Sequence, residues 1–408
     1  EVIRKDWANY LNSVLYLDDQ VRRITEQLKK EGIADSTVIF LFTDHGISHL
    51  RGKQFLYDEG IHVPLIVSWP DEIAKNIRRK ELVSHIDIAA TSLYLAGIPV
   101  PEIMQGQSFY GDNYAPREFI YAGRDRCDET VDIIRAVRTP KFKYIRNYLP
   151  FKPHAQPNQY KDGKKIMQHM RQLYQNNELQ TETARYFYPL RPQEELYDLQ
   201  NDPHEMHNLA KDPEYLDELQ KMQQLMLETI HSTKDLGFIP EPIIEIVGKK
   251  QGNKFFISKQ PDFVSFQNKC LETLSLDEEN NLPALKLSLQ SPEPAIRFWA
   301  AYELGNLKNL PDDIISELQK HLADSSDAVK IAAARALCKS GITEPALNIL
   351  ADHMNNQNLI TGMYAALFIE DLDDELKLKL KPEIAAQQDN PYNFTRRVVN
   401  RMLKNLEE

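Results

Sequence analysis

Residues 37–53 read TVIFLFTDHGISHLRGK. Val38 to Thr43 are six consecutive apolar or β-branched positions, and they run straight into Asp44-His45-Gly46. A continuous apolar run, rather than an alternating one, predicts a strand buried on both faces. In open α/β sheets, ligands bind beyond the carboxyl ends of the strands, and Asp44 and His45 stand at such an end. A carboxylate and a neutral imidazole are both metal ligands. Gly46 lets the backbone turn sharply beside them, and Lys53 brings a compact positive charge toward an anion. Taken alone, the tripeptide fits equally well a strand-end turn in which Asp44 caps the following backbone.

The flanking sequence sets this strand in an α/β layer. Residues 5–30 have helical period, with Trp7, Tyr10, Leu11, Val14, Leu17, Val21, Ile24 and Leu28 on one inward face. Residues 63–69 read as a second buried strand. Residues 84–96 read as a helix opened by a capping box of Ser84 and Asp87 and closed by Gly97 and Pro99. Helices alternating with apolar strands predict a mostly parallel sheet over residues 1–117. With two such strands, that sheet is incomplete. From 118 to 239 the texture becomes that of a small α+β lobe. Short strands are expected at 118–123, 132–139 and 142–147, the last two joined as a hairpin, with a helix at 215–232. Within the lobe, 148–193 is polar and aromatic and reads as a long surface insertion. Residues 240–265 read as a linker.

Residues 266–408 read as an all-α solenoid. AIRFWAAYEL at 295–304 and AVKIAAARAL at 328–337 match at an offset of 33. A weaker copy, YAAL, lies at 364–367. Each clear copy follows a polar turn, and small residues stand where paired helices come closest. This pattern resembles HEAT-like repeats, and their continuous surface is a candidate site for a protein partner.

Composition narrows the function. The 408 residues carry 60 acidic and 49 basic side chains, a formal charge of −11. Nucleic-acid binding, which needs a basic footprint, is excluded as a general role. Three scattered cysteines, Cys127, Cys270 and Cys338, argue against a disulfide scaffold or a structural zinc site. No apolar run reaches the ~18 residues of a membrane span.

The stretch ADSTVIFLFTDHGISHLRGKQFLYDEGIHVP at 34–64 resembles the C-terminal half of the type I sulfatases, within the alkaline phosphatase superfamily. VSHIDIAATSLYLAG at 83–97 and ELYDLQNDPHEMHNL at 195–209 are similar to further segments of that family. RAVRT at 135–139 with KYIR at 143–146 looks like a subgroup acting on sulfated polysaccharides. The resemblance covers about residues 1–235. It implies Asp44 and His45 as metal ligands and Lys53 as the cation that holds the sulfate while the ester bond breaks. His49 becomes a candidate proton donor to the leaving oxygen, or a loop histidine. Calcium is the metal implied; where many members carry Asn, His45 leaves manganese or zinc open. The family's nucleophile is a formylglycine made from Cys or Ser in a C-x-P-S-R-like motif. None of the three cysteines has the following Pro and Arg, so the nucleophile is expected outside this segment, and the segment alone is expected to be inactive. Asp18-Asp19 reads as a solvated or helix-packing acidic pair rather than the family's early metal ligands.

Four further residues are candidates for substrate contact: His85 at a helix start, and Arg124, Arg126 and Arg138, whose forks suit a carboxylate or sulfate. For each arginine an internal salt bridge competes with that role. The expected activity is sulfuric ester hydrolysis on a sulfated glycan, in a periplasmic or extracellular location by family resemblance. The alternatives are a phosphodiesterase or phosphonate hydrolase of the same superfamily, or a non-catalytic interaction protein built on the repeats.

Overall fold

The structure, a computed structural model, describes residues 1–70, 72–111, 114–276 and 279–407. The chain divides into two compact units. The first comprises Glu1–Arg124 and Ile134–Met226; the second comprises Asp125–Ile133 and Leu227–Glu408.

The first unit opens with the helix Val2–Lys30. The strands β1 (Ile39–Phe42) and β2 (Leu65–Ser68) follow, then the helix His85–Leu95. β1 and β2 pair antiparallel, from Ile39 opposite Ser68 to Phe42 opposite Leu65. The expected parallel arrangement is therefore corrected. A parallel pair needs a crossover, usually a long helix. Here the connection is spent on a loop that closes on itself, with one helical turn at Asp58–Ile61, so the chain returns in reverse. Burial differs too. Phe42 and Ile66, on opposite faces of the pair, stay 43% and 57% exposed, so among the described residues neither face is fully covered. The same holds for the first helix, where no residue is buried and Leu11, Leu15, Tyr16 and Ile24 stand open. Ser84 and Asp87 do form the capping box. Asp87 also accepts from the Gln107 amide at 2.9 Å and from Arg117 Nε at 2.7 Å, so it is a structural acid.

The small lobe is built on a four-stranded sheet in the order β3 (Ile120–Cys127), β4 (Thr130–Arg138), β5 (Phe142–Asn147) and β6 (Glu194–Asp198). β4–β5 and β5–β6 are antiparallel. Residues 148–193, read from sequence as a surface insertion, instead supply core. Ala155, Met167, Tyr186 and Phe187 join Ile134, Ile145 and Tyr197 of the sheet and Phe55 and Tyr57 of the β1–β2 connection in one buried cluster. Their polar neighbours hid an aromatic core. Burying side chains of this size contributes about 1.5–3 kcal/mol each, so the connection carrying the candidate site is clamped to the lobe.

The second unit is helical. Pro240 and Pro242 start the helix Glu241–Gln251, where proline is tolerated in the first turn; these residues were expected as a linker. The inner helices Pro294–Leu304, Asp327–Lys339 and Leu359–Glu370 are buried almost throughout. Ala300, Ala301, Ala332, Ala333, Ala365 and Ala366 have no exposed surface, so the helices stack closely, as the repeat pattern predicts. Trp299 is core, its indole N–H donating to Phe238 O at 2.7 Å. Arg335 joins successive repeats, donating to Tyr302 O, Asn306 Oδ1 and Asp371 Oδ2. The hairpin tip at 125–133 belongs to this unit. Its buried Glu129 faces Arg397 and Arg401 at 3.2 Å each.

Candidate active site

The connection after β1 is a closed loop. The Gly46 amide donates to Gly60 O at 2.9 Å, and the Lys53 amide donates to Ile47 O at 2.8 Å. Both closures depend on glycine. A Cβ on Gly46 would lie 1.8 Å from Glu59 O, and one on Gly52 1.7 Å from Ile47 O. Directly after Lys53, Gln54 has φ +80°, a left-handed conformation that costs a non-glycine residue about 1–3 kcal/mol and that clusters at functional sites. The loop thus carries Asp44 and His45 at the carboxyl end of β1 and returns the Lys53 backbone to Ile47.

Asp44 is 86% exposed, and one of its oxygens accepts from the His45 amide at 3.0 Å. His45 Nδ1 lies 2.8 Å from Gly46 O. A carbonyl only accepts, so Nδ1 carries a proton, and in the neutral ring Nε2 is the nitrogen left for a cation. That Nε2 is 3.5 Å from Asp44 Oδ2. These two donors fit a divalent metal chemically, but they are half a coordination sphere or less. Among the described residues no group of three or more His, Cys, Asp or Glu is placed to hold a metal.

Lys53 Nζ sits 4.4 Å from the centre of the Tyr160 ring. His49 is held by Asp6 of the first helix, Nε2 to Oδ2 at 2.8 Å, with the Trp7 ring 4.7 Å away. Burial lowers the His49 pKa first; Asp6 opposes this, and Lys164 and Lys161 add to it. His85 is exposed, its ring 5.7 Å from that of Phe42 at the end of β1, so it stands at the strand end that carries Asp44.

The three arginines do not gather with these groups. Arg138 is paired with Asp58 at 3.2 Å. Arg126, in the second unit, is held by both carboxylate oxygens of Glu241 at 2.8 and 3.0 Å. Arg124 is buried, with its guanidinium 5.8 Å from the Phe55 ring. Asp58 is itself a hub. It also takes the buried Lys143, whose ammonium lies 2.8 Å from Glu205 Oε1. Arg51 stacks on Tyr57 at 4.3 Å and donates to His204 O at 2.7 Å. Asp202 and Asn208 cap nearby backbone amides. Asp19 pairs with Arg22 and Arg23 along the first helix.

Sequence reading missed Asp6, Tyr160, Lys161 and Lys164, which surround His49 and Lys53. Lys161 Nζ donates to His49 O at 2.6 Å. No spacing marks them, because they reach the loop from helices far along the chain.

Comparison with known proteins shows what the chain is similar to. The sulfatase family model matches residues 4–98, and the HEAT-repeat model matches residues 282–361. An ulvan-active sulfatase of Formosa agariphila is 34% identical over 250 residues, 61% of this chain and 42% of that protein. An N-acetylglucosamine-6-O-sulfatase of Bacteroides thetaiotaomicron is 26% identical over 240 residues, 56% of this chain and 36% of that protein. A solved complex with the substrate D-glucosamine-2-N,6-O-disulfate superposes loosely, with a TM-score of 0.39 at 26% identity over 56% of this chain and 40% of that one. The chain spans less than half the length of these curated relatives.

Proposed function

We propose that this chain, a sulfatase-family segment followed by HEAT repeats, is the C-terminal portion of a metal-dependent sulfuric ester hydrolase acting on a sulfated glycan. The observation that carries the reading is the closed 44–61 loop. It carries an Asp–His donor pair and a lysine that makes no ion pair among the described residues, inside the segment matched as sulfatase. Lys53 holds a sulfate oxygen and stabilises the charge that grows as the ester S–O bond breaks. Asp44 and His45 supply two donors to a divalent cation, calcium by family resemblance, with manganese or zinc suited to the imidazole. Such a cation, when bound, polarises the sulfate oxygens. His49, held by Asp6, is the candidate proton donor to the leaving sugar oxygen, or a loop histidine.

The remaining metal ligands and the formylglycine nucleophile belong to a part of the protein outside this chain. The short span against the relatives supports this. So do the uncovered apolar face of the first helix and the two-stranded β1–β2 sheet, since such a pair is marginal by itself. The cysteines here are poor candidates, because none is followed by the Pro and Arg of the motif. Sulfated glycans lie outside the cytoplasm, which makes an exported location part of the proposal. The test is release of inorganic sulfate from a panel of sulfated glycans by the natural polypeptide carrying this chain. Wild type should release sulfate and Asp44→Ala should not; hydrolysis of phosphodiesters in its place would favour the related phosphoesterase chemistry.

A further inference from the structure

A lysine carries its charge on a flexible four-carbon stem, and a group that meets a reacting anion gains from being held in place beforehand. Among the described residues Lys53 makes no ion pair that could hold it; its Nζ lies instead 4.4 Å from the centre of the Tyr160 ring. At that distance an aromatic face attracts a cation. Lys164 Nζ lies 4.8 Å from the same centre, and two ammonium groups repel each other, so the ring holds Lys53 only if the ring is itself fixed. Three contacts fix it. Ser48 Oγ donates to Tyr160 Oη at 3.2 Å. Lys161 Nζ donates to His49 O at 2.6 Å. Gln54 Nε2 donates to Asn158 Oδ1 at 3.4 Å. The Asn158 side chain also accepts from the Lys161 amide at 3.1 Å, and so caps the helical turn Gln159–Asp162 that carries Tyr160. Asn158, Tyr160 and Lys161 thus bond to Gln54, Ser48 and His49, which lie on both sides of Lys53 in the chain. The ring does not serve the core: Tyr160 is 41% exposed and stands outside the buried aromatic cluster of the lobe.

We propose that Tyr160 is a positioning residue for Lys53. Its ring holds the ammonium in one place, and the capped turn holds the ring to the loop, so the lysine is ordered before an anion arrives. A ring suits this task where a carboxylate does not. An acid beside Lys53 would offset the positive charge and repel an incoming anion, whereas the ring orients the ammonium and leaves its charge available. The inference rests on the proposed function in one respect, the role of Lys53 as holder of the sulfate that is cleaved. A tyrosine that served only the fold would act independently of Lys53, and that difference is measurable.

The experiment is a double-mutant cycle, read as kcat/KM for sulfate release by the natural polypeptide carrying this chain. The variants are Tyr160→Leu, Tyr160→Phe, Lys53→Met and the pair Tyr160→Leu with Lys53→Met. Tyr160→Leu should lower kcat/KM by roughly 3–30-fold, the effect of losing one cation–π contact. Tyr160→Phe, which keeps the ring, should recover most of that loss. Residues in contact are coupled, so Tyr160→Leu should cost nothing further once Lys53 is replaced. Tyr160→Leu at the wild-type rate overturns the inference, as does an equal loss in Tyr160→Phe, or the same loss with and without Lys53. NMR of this chain reads the contact without turnover. The ring should shift the Lys53 side-chain protons upfield in wild type and in Tyr160→Phe, and Tyr160→Leu should return them to the ordinary lysine position. Ordinary shifts in wild type overturn the inference. If Lys53→Met keeps the wild-type rate, the sulfate-holding role of Lys53 falls and the positioning role with it. If Lys53→Met is slow and Tyr160→Leu is not, the positioning role alone falls.

Discussion

His49 Nε2 lies 2.8 Å from Asp6 Oδ2, tying the loop that carries Lys53 to the first helix. Burial depresses the imidazole, and the Asp6 charge opposes this. The unfolded chain takes up this proton near pH ~6.5, whereas the folded chain takes it up at a lower pH. The unfolded state therefore binds more protons within that window, and stability falls as pH drops through it. A histidine NMR titration should place His49 below the ordinary imidazole value. Asp6→Asn should lower it further, since the opposing charge is gone. A rise on that substitution would contradict the assignment.

Lys143, with no exposed surface, is balanced by Asp58 and Glu205. Lys143→Met strands Glu205 and leaves Asp58 to Arg138 and His62, and breaking a buried pair in this way costs about 3–5 kcal/mol. Urea unfolding should read the loss. Asp58 should also recover part of its ordinary acidity. Burial raises its pKa, but hydrogen bonding to His62 and the charges of Lys143 and Arg138 hold it low. The stability that Asp58 contributes is present above its unfolded value and is lost as pH falls through the folded one.

In the helical unit, Arg335→Met removes donors to three partners spread over neighbouring repeats. Asp371 is 46% exposed and can rehydrate, so the cost should be about 2–3 kcal/mol, the range for hydrogen bonds to a charged group. Calorimetry should show a lower transition.

These sites also show what the sequence revealed and what it hid. The Asp44–Lys53 loop was legible because its glycines and candidate ligands are close in sequence. The repeats were legible because alanines recur where helices touch. The antiparallel return of β2 was hidden, since an apolar run does not state its direction. The aromatic core of 148–193 was masked by polar neighbours, and Tyr160 reaches Lys53 through folding alone. For Arg126 and Arg138 the sequence left a salt bridge and a substrate role open, and it could not name their acids, Glu241 and Asp58, which lie far along the chain.

The first helix presents Leu11, Leu15 and Tyr16 at 56%, 69% and 68% exposure. An apolar face this open should bind a hydrophobic dye. The double substitution Leu11→Glu with Leu15→Glu should more than halve dye fluorescence and change stability by no more than about 0.5 kcal/mol, as for surface sites. Unchanged fluorescence would show that the face is already covered.

The most direct test of the account is kcat/KM for sulfate release by the natural polypeptide, wild type against Lys53→Met. Loss of one group that stabilises transition-state charge lowers rates by roughly 10²–10³-fold, and that drop is predicted here with folding intact by circular dichroism. A variant that releases sulfate at the wild-type rate would contradict the assignment of the 44–61 loop as the reacting site.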